Sequence, residues 1–116
     1  MQQGTAFHAV TMSSMSRAIV ANNLITYTVP APAYSAIYTR AVNVGVESTA
    51  VGITGNMISG TVTYAVTLDG SPGTFGKGVS VTNNTAPGTV FGVRLNNTGF
   101  TTPPTVCGNA VGPSAY

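Results

Sequence analysis

Charge is what this sequence has least of. Only 5% of its 116 residues are Asp, Glu, Lys or Arg, against roughly a quarter in an ordinary soluble domain. They are Arg17, Arg40, Glu47, Asp69, Lys77 and Arg94. A free monomer normally keeps itself dispersed with a mixed, charged surface and avoids large apolar patches. This chain must instead expose Thr, Ser, Asn and Gly together with Ala and Val. Either neighbours cover much of that surface, or charge repulsion is unwanted where the protein works. Both explanations point to an assembly. The four basic residues are scattered, with no run and no aromatic interleaving, so no specific nucleic-acid partner is expected.

Cysteine, histidine and tryptophan are nearly or wholly missing. The single Cys107 excludes a disulfide framework. It reads as a small buried hydrophobe or an inert thiol, with a disulfide between subunits as the sharper alternative. No apolar run reaches the ~18 residues of a membrane helix, so no membrane insertion is expected. Met1 to Val10 has no basic segment followed by an apolar core. Synthesis in the cytoplasm without Sec export is therefore expected.

The inventory for chemistry is equally thin. A Ser-His-Asp arrangement would have to use His8 and Asp69, and no Gly-x-Ser-x-Gly elbow accompanies them. A Cys107–His8 pair has no supporting context. Glu47 and Asp69 are the only carboxylates for glycoside hydrolysis. Asp69 reads more simply as the first residue of a turn, and Glu47 as a strand-end partner for an Arg. No metal-ligand spacing occurs. The segment from Gly73 to Gly78 lacks the Ser or Thr that follows Lys in a phosphate loop. Neither enzyme activity, a cofactor, a metal nor a small-molecule substrate is expected.

What the sequence does have is alternation. Leu24 to Val29 places Ile25, Tyr27 and Val29 on one face, and Pro30 and Pro32 are expected to end that strand. Ala36 to Val46 alternates with two mixed faces. Met57 to Leu68 is the strongest run. Ile58, Gly60, Val62, Tyr64, Val66 and Leu68 face one way, hydroxyl-bearing residues face the other, and Gly60 marks a bulge or bend. Asp69 to Gly73 is turn chemistry. Val79 to Thr82 and Thr89 to Leu95 are further strands, each followed by an Asn pair. Shorter strands are expected near Thr5 to Thr11, at Arg17 to Ala21, and at Phe100 to Thr102 or Thr105 to Cys107. The Asn-Asn-Thr tripeptides at 83–85 and 96–98 do not read as a repeat.

No segment carries a 3.6-residue apolar stripe. Many short strands with Gly, Pro and Asn turns imply an all-β fold: an antiparallel β-sandwich or jelly-roll-like barrel. Residues 17–102 would form it, between an extended N-terminal arm (1–16) and an extended C-terminal tail (103–116). Tyr27, Tyr64 and Phe91 are expected in the core. Phe7, Val10, Met12, Met15, Tyr34, Phe75, Phe100 and Tyr116 lie in arms and loops and are the candidates for subunit contacts.

The run Leu-Ile-Thr-Tyr-Thr-Val-Pro-Ala-Pro-Ala-Tyr-Ser-Ala-Ile-Tyr-Thr-Arg-Ala-Val-Asn-Val, residues 24–44, resembles small β-sandwich virion proteins of bacteriophages that decorate or cement capsids. A strand ending in Thr-Val-Pro-Ala precedes an Ile- and Val-rich strand that ends near Asn. The resemblance implies a virion structural subunit, partnered by copies of itself and by a major shell protein, and acting by packing and by strand or arm exchange. Two other classes fit the same composition. One is an extracellular pilus-like filament subunit that polymerises by strand donation. The other is a carbohydrate-binding module, with Tyr27, Tyr34, Tyr38 and Tyr64 among its stacking rings.

Overall fold

The chain is described by a computed structural model covering residues 2–3, 8–96 and 99–112. It winds rather than folds back. After β1 (Gln2–Gln3), a first coil runs through β2 (Val10–Ser13), β3 (Ser16–Ala21) and β4 (Leu24–Tyr27). The second coil is β5 (Ala31–Arg40), β6 (Glu47–Thr54) and β7 (Met57–Ser59). The third is β8 (Val62–Asp69), β9 (Thr74–Phe75), β10 (Ser80–Thr82) and β11 (Thr85–Ala86). The fourth is β12 (Phe91–Asn96), β13 (Thr105–Cys107) and β14 (Ala110–Val111).

Each strand pairs with its counterpart one coil away, and every pairing among the described residues is parallel. Three sheets result, in the orders β2-β5-β8-β12, β3-β6-β10-β13 and β1-β4-β7-β11-β14. This is a three-faced parallel β-solenoid of four coils. The expected antiparallel β-sandwich or jelly-roll-like barrel is not formed. Period-2 alternation says that a strand has one buried face. It is silent on strand direction and partner, and a solenoid buries alternate residues as a sandwich does.

The alternation holds in β3 and β4, whereas β8 is buried on both faces, with Ala65 and Thr67 as covered as Val66 and Leu68. Apolar side chains stack in columns down the inside of each sheet. One column is Val10, Ile37, Val66 and Val93, and a second is Val20, Ile53, Val81 and Val106. A third runs through Ile25, Ile58, Ala86 and Val111. Ile25, Ile37, Ile53, Ile58, Val66 and Val81 have no exposed surface. Burying each such aliphatic group contributes about 1.5–3 kcal/mol. Columns of like residues suit a parallel stack, because each coil meets its neighbour in register and identical shapes fit at every step.

The run Met57 to Leu68 is two strands on two different sheets. The chain turns a corner at Gly60, whose φ is +86°. A Cβ there would collide with the Tyr27 carbonyl of the coil before, so the corner needs glycine. Pro32 lies within β5 rather than ending a strand, next to a register shift between Ala31 and Ser35. Residues 8–16, expected in an arm, include β2, which is bonded to β5. Residues 103–112, expected in a tail, carry β13 and β14 of the last coil. Of the expected core aromatics, Tyr27 is buried, while Tyr64 is half-buried and Phe91 exposed.

Candidate interaction surfaces

The corner between the sheet of β3 and the sheet of β4 is the most regular place in the molecule. Each coil turns there on two residues: Asn22-Asn23, Gly55-Asn56, Asn83-Asn84 and Gly108-Asn109. The first of each pair has positive φ, at 57°, 66°, 57° and 68°. That conformation suits Gly and is tolerated by Asn. The second of each pair forms a hydrogen-bonded ladder.

The ladder has one direction. The Asn23 backbone amide and Nδ2 both donate to Asn56 Oδ1, at 3.1 and 3.0 Å. Asn56 donates in the same way to Asn84 Oδ1, at 3.0 and 2.9 Å. Asn84 repeats it to Asn109 Oδ1, again at 3.0 and 2.9 Å. A second Nδ2 bond ties each rung back to the preceding coil: Asn56 to the Val20 carbonyl, Asn84 to Ile53 and Asn109 to Val81, at 2.9, 3.0 and 2.9 Å. Asn56 and Asn84 are only 1% exposed. Burying two amides is tolerable only because their bonds are made.

These residues escaped sequence reasoning, yet a signal exists. The segments Val20–Ile25, Ile53–Ile58, Val81–Ala86 and Val106–Val111 share the pattern apolar, any, Asn or Gly, Asn, any, apolar. The ladder asparagines lie 33, 28 and 25 residues apart. Unequal spacing hides the repeat from a fixed-period search. The Asn-Asn pair at 83–84 belongs to it and the pair at 96–97 does not.

Beside the ladder lies an apolar stripe. Leu24 and Met57 are stacked in register on the outside and are 56% and 54% exposed. Ile19, across the corner, is 75% exposed. Cys107 is also on the outside, which excludes the buried one of its two plainer readings and leaves the inert thiol. It stands in register with Thr82, Thr54 and Ala21, and Thr82 Oγ1 donates to Thr54 Oγ1 at 3.1 Å.

The outer face of the β2-β5-β8-β12 sheet gathers half of the chain's charged side chains. Tyr38 Oη donates to Asp69 Oδ2 at 2.8 Å, and Arg40 Nε lies 3.7 Å from the same oxygen. Arg40 Nε also donates to the Ser71 carbonyl at 2.7 Å. His8 stacks on Tyr38 at 4.7 Å and meets Tyr34 edge-on at 5.1 Å. Its Nδ1 accepts from the Ser35 amide at 3.0 Å. Arg94 sits 4.9 Å above the Tyr64 ring, which stacks on Phe91. Burial raises the Tyr38 phenol above its ordinary pKa, and the Asp69 carboxylate it bonds to raises it further. Burial also raises Tyr27, against an opposing hydrogen bond with the Ala9 backbone.

The candidate contact residues fall in different places. Val10, Met12, Met15, Tyr34 and Phe100 are half-buried against the core. Phe75 is wholly buried and stacks on Phe100 at 5.3 Å, so its ring is inside the solenoid. Phe7 and Tyr116 lie outside the described residues. The carboxylates have separate partners. Glu47 accepts from Thr101 Oγ1 at 2.6 Å, in place of the Arg expected beside it. Asp69 ends β8 at the start of the segment expected to turn, and binds Tyr38 and Arg40. Among the described residues there is neither a group of three or more metal-ligating side chains nor a helix long and apolar enough to cross a membrane. No protein-family model, curated protein or solved structure matches this chain.

Proposed function

We propose that this chain is a structural module of a large assembly, and that its partners are copies of itself and a shell protein. The observation that carries the reading is the exposed, stacked pair Leu24 and Met57, with Ile19 exposed on the adjoining sheet, on a surface with so few charges. Exposed aliphatic groups without a charged surround favour association over dispersal. The ladder beside the stripe would hold it on a stiff backbone, so a partner could dock with little loss of conformational freedom. The virion setting comes from the resemblance of residues 24–44 to decoration proteins, whose β-sandwich is not the fold of this chain.

Sedimentation velocity over a concentration series tests the reading. The wild-type protein should associate, and the double variant Leu24→Lys/Met57→Lys should weaken association about a hundredfold, since covering two such side chains is worth about 3 kcal/mol. Both positions face outward, so the fold should survive. A wild-type protein that stays monomeric at millimolar concentration would contradict the proposal.

A second reading is favoured by the face carrying Tyr34, Tyr38, Tyr64 and Phe91 with Arg40, Asp69 and Arg94. Rings and hydrogen-bonding charges together suit a polysaccharide. Two of these rings are already covered, Tyr38 by His8 and Tyr64 by Phe91, which is why this reading comes second.

A further inference from the structure

The asparagine ladder is polar, and its two ends complement each other. At the fourth coil, the Asn109 backbone N–H and one Nδ2 hydrogen have no acceptor among the described residues. They are the two donors that Asn23, Asn56 and Asn84 each direct at the next rung. At the first coil, Asn23 Oδ1 accepts no hydrogen bond from the described residues, whereas the Oδ1 of Asn56, Asn84 and Asn109 each accept twice. One end therefore presents the donors of an unfinished rung and the other presents its acceptor. The strands agree with the ladder. β12 and β13 are the last members of their sheets at one end, and β2 and β3 are the last members at the other. β1 pairs with β4 only at Thr26 and Tyr27, beyond the ladder.

We propose that copies of this chain stack head to tail, with Asn109 of one copy donating to Asn23 of the next. The stack continues the ladder and the apolar columns across the junction. The proposal rests on the assembly reading for its premise that copies meet, and adds which surfaces meet and in what direction. Unlike a two-fold dimer, this contact joins different surfaces. It does not close on itself, so it generates an open linear polymer. The register is fixed by the columns. Val93 lies against Val10 of the next copy, as Ile37 and Val66 lie against each other within one chain. Cys107 lies against Ala21 of the next copy, continuing the outer column Ala21, Thr54, Thr82, Cys107.

That last pairing supplies a specific test. Neighbouring strands are ~4.8 Å apart, which falls within the Cα separations a disulfide spans. The variant Ala21→Cys should therefore form a covalent polymer with the native Cys107 under mild oxidation. It should appear as a ladder of dimers, trimers and higher species on a non-reducing gel, and collapse on reduction. Thr54→Cys is the control. It faces the same way one coil further in, and too far from its own Cys107 for a bond within one chain. Held face to face in a stack, the thiols of Ala21→Cys meet at an effective concentration near millimolar, so at micromolar protein they should link on the order of a hundredfold faster than the control. Equal cross-linking of the two variants overturns the stacking proposal. If wild type still associates by sedimentation, the assembly reading survives alone. If wild type is monomeric throughout, both fall.

Discussion

Two corners of the same coil are built on opposite plans. The corner between the second and third sheets turns on two residues in every coil, always Asn or Gly followed by Asn. The corner between the first and second sheets uses whatever length the chain supplies. Among the described residues it is 14–15 in the first coil, 41–46 in the second, 70–73 before β9 in the third, and 99–104 in the fourth. The first corner is held by side-chain bonds that repeat from rung to rung. The second is held mainly by backbone bonds between coils, such as Gly73 N–H to the Ala41 carbonyl at 2.8 Å, and by side-chain bonds that do not repeat, such as Val42 N–H to Ser14 Oγ at 2.9 Å. One side thus repeats a single turn in every coil, and the other takes loops of different length between the same sheets, as surface loops generally do.

The sharpest way to break this contrast is to change one asparagine at each corner. Asn84→Leu removes four side-chain bonds and leaves the buried Asn56 amide without its acceptor. It should cost about 3–5 kcal/mol, a large share of the roughly 5–15 kcal/mol that holds an ordinary domain folded. Asn43→Ala, on the exposed loop of the other corner, should change stability by less than about 0.5 kcal/mol. Urea denaturation of both variants checks the pair. Comparable losses at both sites would mean that the ladder is not the spine.

Inside the coil, Thr39 sharpens the picture. Its Oγ1 is the only buried side-chain polar atom without a partner among the described residues. Thr39→Val keeps the shape and removes the orphan, and should stabilise the fold by about 1 kcal/mol in the same assay. A smaller gain is expected at Ala50, which is held at a φ of 53°. Ala50→Gly should relieve about 1–2 kcal/mol of left-handed strain. It should also lose about 0.5–1 kcal/mol to the added freedom of the unfolded chain, leaving a net gain of about 0.5 kcal/mol. A melting temperature that falls would show that left-handed strain at Ala50 does not limit stability.

The smallest effect is one of pH. Tyr27 and Tyr38 both have raised pKa values in the folded chain. The neutral phenol is the form the fold prefers, so their contribution is complete below the unfolded value of about 10 and is lost as pH climbs through the folded values. The urea midpoint should therefore fall above about pH 10, and fall less in the Tyr27→Phe/Tyr38→Phe variant. Equal slopes in the two proteins would show that these phenols do not carry the effect.

The sequence made some of this legible. Strands at Leu24–Tyr27, Ser80–Thr82 and Phe91–Asn96 follow from alternation and Gly or Asn turns, as does the bend at Gly60. The winding was hidden, for two physical reasons. Side-chain alternation is the same whether the next strand runs parallel or antiparallel. The one side-chain signal that repeats with the winding sits in two residues per coil, separated by 33, 28 and 25 positions. Asn in a turn is ordinary; only the stacking of four such turns gives it a structural role. The aromatic residues misled for a related reason. Phe75 sits among glycines as a loop residue would, but the coil folds it inward onto Phe100.

The account stands on the ladder, and NMR on the isotope-labelled chain reads it directly. Cross-peaks should link the side-chain amide protons of Asn23, Asn56, Asn84 and Asn109 in that order, from each rung to the next. The Nδ2 protons of Asn56 and Asn84 should exchange slowly with solvent. Rapid exchange of those protons, together with the close Hα–Hα contacts of antiparallel strands, would contradict it.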